Sequence, residues 1–187
     1  MSLLDDLANK YGTEKGSKTA GCFHNYCPFY ETFISHLRHE KIRLLEFGVD
    51  KGNSLRMWAE YFPNGKIIGV DVNDTSVCNT DQITTVVGNQ ASLDDLQSIN
   101  TLYGPFDIIV DDAGHAPEHQ LICYQNMIGR LGPGGVYILE DLVNHDGPPE
   151  DARMRDYLFK VAYDALTKKG YKIEIAFSYG TTVTRLI

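Results

Sequence analysis

The chain has 187 residues, 43% of them apolar and 22% charged, the balance of a globular domain that buries a real core. Its 25 acidic residues outnumber 17 Lys and Arg, and the formal net charge of −8 argues against nonspecific binding to nucleic acid or to anionic lipid. No apolar run approaches the ~18 residues a membrane-spanning helix needs, so no membrane partner is expected.

Taken in chain order, residues 1–40 read as a helical, aromatic cap segment carrying Tyr11, Phe23, Tyr26, Phe29, Tyr30 and Phe33. The N-terminus lacks a basic stretch leading into an apolar core, so no signal peptide is expected there. Residues 41–187 alternate between short β-branched runs and helix-period segments, and with the cap they are read as one domain, 1–187. The runs are Arg43–Phe47, Lys66–Asp71, Ile83–Val87, 107–111 and 136–139, the last entered through Gly132-Pro133-Gly134-Gly135. Continuous apolar runs of this kind are buried on both faces, as in a parallel sheet. Helices are expected at Asn53–Tyr61, capped by Asn53 or Ser54, at 92–102 with Ser92 as N-cap, at 119–131 and at 154–169. Residues 172–178 and Thr181–Leu186, around Tyr179-Gly180, read as a β-hairpin. The fold class is therefore α/β: a Rossmann-like sheet of seven strands with helices on both faces, a terminal antiparallel hairpin and an N-terminal helical cap. The polar stretch 143–155 is expected to form a lid. Cys22, Cys27, Cys78 and Cys123 match neither a zinc pattern nor a Cys-x-x-Cys pair, so reduced thiols and a cytoplasmic location are expected.

The first strand leads into Glu46-Phe47-Gly48-Val49-Asp50-Lys51-Gly52-Asn53-Ser54. Glycines let this loop turn tightly and let a ligand lie close to the backbone. Asp50 stands where a dinucleotide fingerprint has its central glycine, which disfavours a pyrophosphate and a nicotinamide cofactor and favours a zwitterionic or cationic ligand. Asp71 closes the second strand, 25 residues after Glu46, where an acid can accept from two ribose hydroxyls. Gly88-Asn89-Gln90 follows the third strand and could meet an adenine edge.

These residues, with Leu131-Gly132-Pro133-Gly134-Gly135 and the terminal hairpin, resemble a class I S-adenosylmethionine-dependent methyltransferase. The resemblance implies strands four and five side by side, which would bring Asp112, Glu140 and Asp141 together. Three such carboxylates repel unless a cation joins them or some are protonated, and all-oxygen ligation suits Mg²⁺. His115, three residues past Asp112, is a candidate general base. The spacing Asp111-Asp112-x-x-His115, then Glu140-Asp141 28 residues after Asp112, narrows the resemblance to the magnesium-dependent sugar O-methyltransferases of the macrocin and mycinamicin kind. So do Ser54-Leu55-Arg56-Met57-Trp58, Tyr103-Gly104-Pro105-Phe106-Asp107, and Lys10-Tyr11-Gly12-Thr13-Glu14-Lys15-Gly16 with His24-Asn25-Tyr26. Ala113-Gly114 departs from the Gly-Ser that members often carry there.

The resemblance implies an enzyme that uses S-adenosyl-L-methionine and Mg²⁺ to methylate a hydroxyl of a sugar or glycosylated small molecule. Asp112, Glu140 and Asp141 would hold the metal, and His115 would take the proton. Thr13, Glu46, Gly48, Gly52, Ser54, Asp71, Asn89, Gln90 and Asp111 would bind the cofactor. A catechol-type O-methyltransferase, and a cephalosporin-hydroxylase-like protein of the same fold without methyl transfer, are the alternatives. Homo-oligomerisation stays open.

Overall fold

The computed structural model describes residues 2–18, 24–141, 160, 163–164, 167–168, 172–178 and 181–186. Seven strands form one sheet: β1 (Arg43–Phe47), β2 (Lys66–Asp71), β3 (Ile83–Val87), β4 (Phe106–Asp111), β5 (Leu131–Leu139), β6 (Ile173–Ser178) and β7 (Thr181–Leu186). Their order is β3-β2-β1-β4-β5-β7-β6. The first five run parallel, and β7 enters antiparallel between β5 and β6. Strand order reverses between β1 and β4, and the carboxyl ends of strands at such a point open a crevice for ligands.

Among the described residues, helices α1 (Leu3–Tyr11), α2 (Cys27–Ile34), α3 (Asn53–Tyr61), α4 (Leu93–Tyr103) and α5 (Pro117–Met127) flank the sheet. Side chains of a strand alternate between faces, and here the alternation sorts the core into two layers. Leu44, Ile67, Ile108, Val110, Val136 and Ile138 pack against Leu4, Tyr30, Leu55 and Trp58 of α1, α2 and α3. Leu45, Phe47, Ile68, Ile109, Tyr137 and Leu139 pack against Leu96, Ile99, Tyr124 and Met127 of α4 and α5. Each layer removes its large apolar side chains almost wholly from water, at roughly 25 cal/mol per Å² of buried area.

Local chemistry sets the boundaries. Ser92 caps α4 by accepting from the Asp95 amide at 3.3 Å, as its position predicts. Helix α3 is capped differently from expectation. Gly52, in the left-handed region at φ 71°, holds the N-cap position, and the Ser54 hydroxyl is turned inward to Glu46. The helix expected at 119–131 starts earlier, because Pro117 presets the first turn, and ends at Met127. A 3₁₀ turn, Ile128–Arg130, follows. The glycine-rich stretch expected to lead into 136–139 lies within β5, which pairs with β4 at Leu131 and again from Val136, with an irregularity between Phe106 and Ile108. The expected lid 143–155 and the hairpin turn 179–180 lie outside the described residues. So does most of the expected helix 154–169, of which Lys160, Tyr163, Asp164, Thr167 and Lys168 are helical.

Candidate active site

The period-two alternation decides which acids meet. Leu44, Val110 and Ile138 face the α1–α3 layer, so Glu46, Asp112 and Glu140, two residues further along each chain, face it too. The ladder continues past the strand ends to hold them there: the Asp112 amide donates to the Phe47 carbonyl and the Glu140 amide to the Asp111 carbonyl, each at 3.0 Å. Asp111 faces the other way. Of the Asp111-Asp112 pair, only the second therefore reaches the acid cluster.

A cation already stands among these acids, and it is Lys15. Its ammonium is 3.4 Å from Glu46 and 3.0 Å from Glu140, and it donates to Oδ2 of Asp112. Lys15 is 3% exposed. It arrives from the N-terminal segment. Helix α1 ends at Gly12 in the left-handed region at φ 68°, and the chain then turns under the sheet. The Lys15 carbonyl is fixed from the other side by the Tyr26 amide at 3.1 Å and the Cys27 thiol at 3.3 Å. Burial disfavours the ammonium, but the charges of Asp112, Glu140 and Glu46 outweigh it and hold its pKa well above the usual range. Burial raises Glu140 well above the carboxylate range, with the Asp112 charge adding to it against Lys15. Burial raises Glu46 too. Asp112 goes the other way: burial is overcome by Lys15 and His115, which keep it ionised.

On the open side of Asp112 a second group assembles. His115 Nε2 is 3.6 Å from Oδ1 of Asp112 and 3.3 Å from Oδ2 of Asp141. Ligand atoms of Asp112, His115 and Asp141 lie within 4.8 Å of one another. Asp141 follows β5 with φ 53°, a left-handed backbone that costs an L-residue about 1 kcal/mol or more and turns its carboxylate toward His115. The Tyr26 hydroxyl holds it there by donating to Oδ1 at 3.0 Å. Glu140, expected beside Asp112 and Asp141 as a ligand, lines the same cavity; its Oε2 accepts from Lys15 at 3.1 Å, while its buried Oε1, 3.0 Å from the ammonium, has no hydrogen-bond partner among the described residues. Two carboxylates and an imidazole facing one space are a donor set that accommodates a hard divalent cation with its remaining positions filled by water or substrate.

These groups floor one end of a cavity of about 680 Å³, within the usual size range of small-molecule sites. The glycine loop and the end of β2 form its other end. A Cβ on Gly48 would stand 2.1 Å from the Asp112 carbonyl oxygen, so only glycine lets this loop pass the β4 end. Asp71 organises the loop by accepting from the amides of Val49 at 2.9 Å and Asp50 at 3.2 Å. Its other oxygen accepts from the Asn73 amide, and together these donors outweigh burial and lower its pKa.

Of the residues expected to bind a cofactor, Thr13, Gly48, Ser54, Asp71, Asn89 and Gln90 line this cavity. Glu46, Gly52 and Asp111 lie behind its wall. Glu46 is fully buried under it, accepting from Ser54 Oγ at 2.6 Å and Trp58 Nε1 at 3.2 Å. Gly52 backs onto Cys78. Asp111 lies on the α4–α5 side of the sheet, accepting from the Tyr137 hydroxyl at 2.8 Å and from Gln90 Nε2 at 3.1 Å. Gln90 is thereby a clamp as well as a lining residue. Its amide group also donates to the Gly114 carbonyl at 3.2 Å and accepts from the Gly114 amide, fixing the loop between Asp112 and His115.

Burial pushes Asp111 up to about 7, against the Tyr137 hydroxyl and Cys123 thiol that favour its ionised form. The native state holds the proton that the unfolded chain releases near pH 4, so this contribution to stability is present below that pH and is lost as pH rises to about 7. Asp111→Asn cannot titrate. Native protein should lose up to about 4 kcal/mol relative to this variant between the two limits, since one pKa unit is about 1.4 kcal/mol. Urea unfolding of both proteins across this pH range checks it, and a constant difference would exclude the effect.

A family model described as a methyltransferase domain matches residues 45–142. Demethylmacrocin O-methyltransferase of Streptomyces fradiae is 37% identical over 146 residues, covering 74% of this chain and 36% of the relative. Mycinamicin VI 2''-O-methyltransferase of Micromonospora griseorubida is 35% identical over the same shares. The solved MycE methyltransferase of mycinamycin biosynthesis, in complex with Mg, SAH and mycinamycin VI, superposes with a TM-score of 0.86 at 29% identity, over 98% of this chain and 54% of that one. The present chain thus spans little more than a third of the curated relatives' length, 36%. Its core, with the switch-point crevice and the acids at the ends of β4 and β5, belongs to the methyltransferase-domain family.

Proposed function

We propose that this chain is an S-adenosylmethionine-dependent, Mg²⁺-dependent O-methyltransferase domain that acts on a hydroxyl of a sugar or glycosylated small molecule. One observation carries the reading: a single cavity joins a glycine loop organised by Asp71 to the Asp112–His115–Asp141 cluster. S-adenosylmethionine would supply an electrophilic methyl group on a sulfonium. A divalent cation held by Asp112 and Asp141 would supply Lewis acidity toward the acceptor oxygen. The chain's own residues do the rest. The loop at Gly48 lets the donor lie against the backbone, and Asp71 at the β2 end stands where ribose hydroxyls would be received. Thr13 closes over it from the N-terminal segment. His115 Nε2 would take the proton of the acceptor hydroxyl as that oxygen bonds to the methyl carbon and the carbon–sulfur bond breaks, leaving the neutral thioether S-adenosylhomocysteine. Tyr26 and Lys15 hold Asp141 and Asp112 in place.

The sugar acceptor is proposed because the relatives named above carry sugar O-methyl transfer in their names. A cytoplasmic location belongs to the same proposal, supported by Cys27, Cys78 and Cys123 being buried and free. No helix among the described residues is long and apolar enough to cross a membrane.

The test is a panel of glycosides and catechols incubated with labelled S-adenosylmethionine and Mg²⁺. Methylation of glycosides that stops in excess EDTA is the expected result. Turnover of catechols alone would replace the acceptor class, and full activity in EDTA would remove the metal. Binding of S-adenosylhomocysteine without turnover of any acceptor would favour a fold-sharing protein with different chemistry.

A further inference from the structure

We propose that Lys15 is a positioning residue that serves as a resident counter-cation: it assembles the acid cluster before any divalent cation arrives and limits how tightly that cation is then held. This rests on the reading of Asp112 and Asp141 as metal ligands.

Glu46, Asp112, Glu140 and Asp141 converge from the ends of β1, β4 and β5, and one ammonium touches three of them. Glu46 and Glu140 are almost wholly buried, and Lys15 is their cationic partner among the described residues. A buried charge whose partner is removed is strongly destabilising. Asp112 is shared. Its Oδ2 accepts from Lys15 on the buried side, while its Oδ1 faces His115 and the cavity. An ion gripped from the cavity side therefore shares one carboxylate with an ammonium behind it, and the two cations repel across it. Lys15 also donates to Oε2 of Glu140 and stands 3.0 Å from its Oε1, so its charge opposes an ion near that carboxylate too. Lys15 thus trades affinity for the metal against a cluster that is pre-formed without it. Its carbonyl is pinned by the start of α2, so the N-terminal segment sets where the ammonium stands.

The test compares the full chain with Lys15→Met and Lys15→Arg, by thermal unfolding in EDTA and in rising Mg²⁺, and by calorimetric Mg²⁺ titration. In EDTA, Lys15→Met should melt well below the native protein. Mg²⁺ should raise its melting temperature by more than it raises the native one, because the ion replaces the lost charge. Its Mg²⁺ dissociation constant should fall by about tenfold or more, the size expected when one repelling unit charge a few ångströms away is removed from a partly screened site. Lys15→Arg, which keeps the charge, should respond to Mg²⁺ as the native protein does. A purely structural lysine would lower the melting temperature equally with and without Mg²⁺, and that result overturns the proposal. Weaker Mg²⁺ binding by Lys15→Met also overturns it. Should Lys15→Met be unfolded in EDTA, folding restored by Mg²⁺ supports the proposal and failure in both media overturns it. An absence of Mg²⁺ binding by the native protein overturns the metal reading itself, and this role with it.

Discussion

Asp112→Ala is expected to reduce methyl transfer to background and to weaken Mg²⁺ binding by tenfold or more, about the scale set by removing groups at metal sites. The expectation follows from where the carboxylate stands. It faces the buried ammonium with one oxygen and His115 and the cavity with the other. Lys15 and His115 together hold its pKa below the usual range despite burial, so it offers a full charge at neutral pH. Its removal leaves Asp141 and His115 without the oxygen that completes the group. The donor end of the cavity is untouched, because Gly48 passes the Asp112 backbone carbonyl and not its side chain. S-adenosylhomocysteine should therefore bind Asp112→Ala within a few-fold of native. Isotope-transfer assays, Mg²⁺ titration and calorimetry with S-adenosylhomocysteine separate these effects. Native activity in the variant would remove Asp112 from the site. Loss of S-adenosylhomocysteine binding would show that its side chain supports the loop as well.

The sheet was legible because its strands are short β-branched runs bounded by Gly, Pro and Asp. Arg43–Phe47, Lys66–Asp71, Ile83–Val87 and Thr181–Leu186 form as those patterns predict. Where glycine carries little side-chain information, the boundary was missed. Residues 132–135, read as the way into the fifth strand, fall inside β5 as an irregularity: β4 pairs with Leu131 and again from Val136, and Gly134 takes a left-handed φ of 75° in between. The acids at the ends of β4 and β5 were legible for the same reason that Asp111 was misplaced. Adjacent acids look alike in a sequence, and only the alternation of the strand sends Asp112 to one face and Asp111 to the other. Lys15 was not legible as part of the cluster. It meets Asp112 across 97 residues of chain and Glu140 across 125, and no local period marks a contact of that range. The available signal was chemical: converging carboxylates require a positive partner, and a lysine in a glycine-flanked segment ahead of an aromatic cap was a candidate that a divalent cation overshadowed.

His115→Ala is expected to lower turnover by about 10² or more, at the lower end of the range for a general base, while S-adenosylhomocysteine binds as before. The imidazole is 45% exposed and reaches over the cavity with Nε2 3.3 Å from Asp141, a position from which it can meet an acceptor hydroxyl. The same position would let it serve as a third ligand, since its nitrogen belongs to the Asp112–Asp141 group. Two measurements distinguish these roles. A base lost with the metal site intact leaves the Mg²⁺ dissociation constant within a few-fold of native and removes the acidic limb of the pH–rate profile. A ligand lost raises that constant by tenfold or more, and excess Mg²⁺ then restores part of the rate. The base role predicts no such rescue. It also predicts that His115→Gln, which keeps a polar side chain near Asp141 but cannot take up a proton at neutral pH, is as slow as His115→Ala. Near-native turnover in either variant would assign the proton to another group. Asp141 would be the first to test, because its left-handed backbone and its bond from Tyr26 already aim it into the same space.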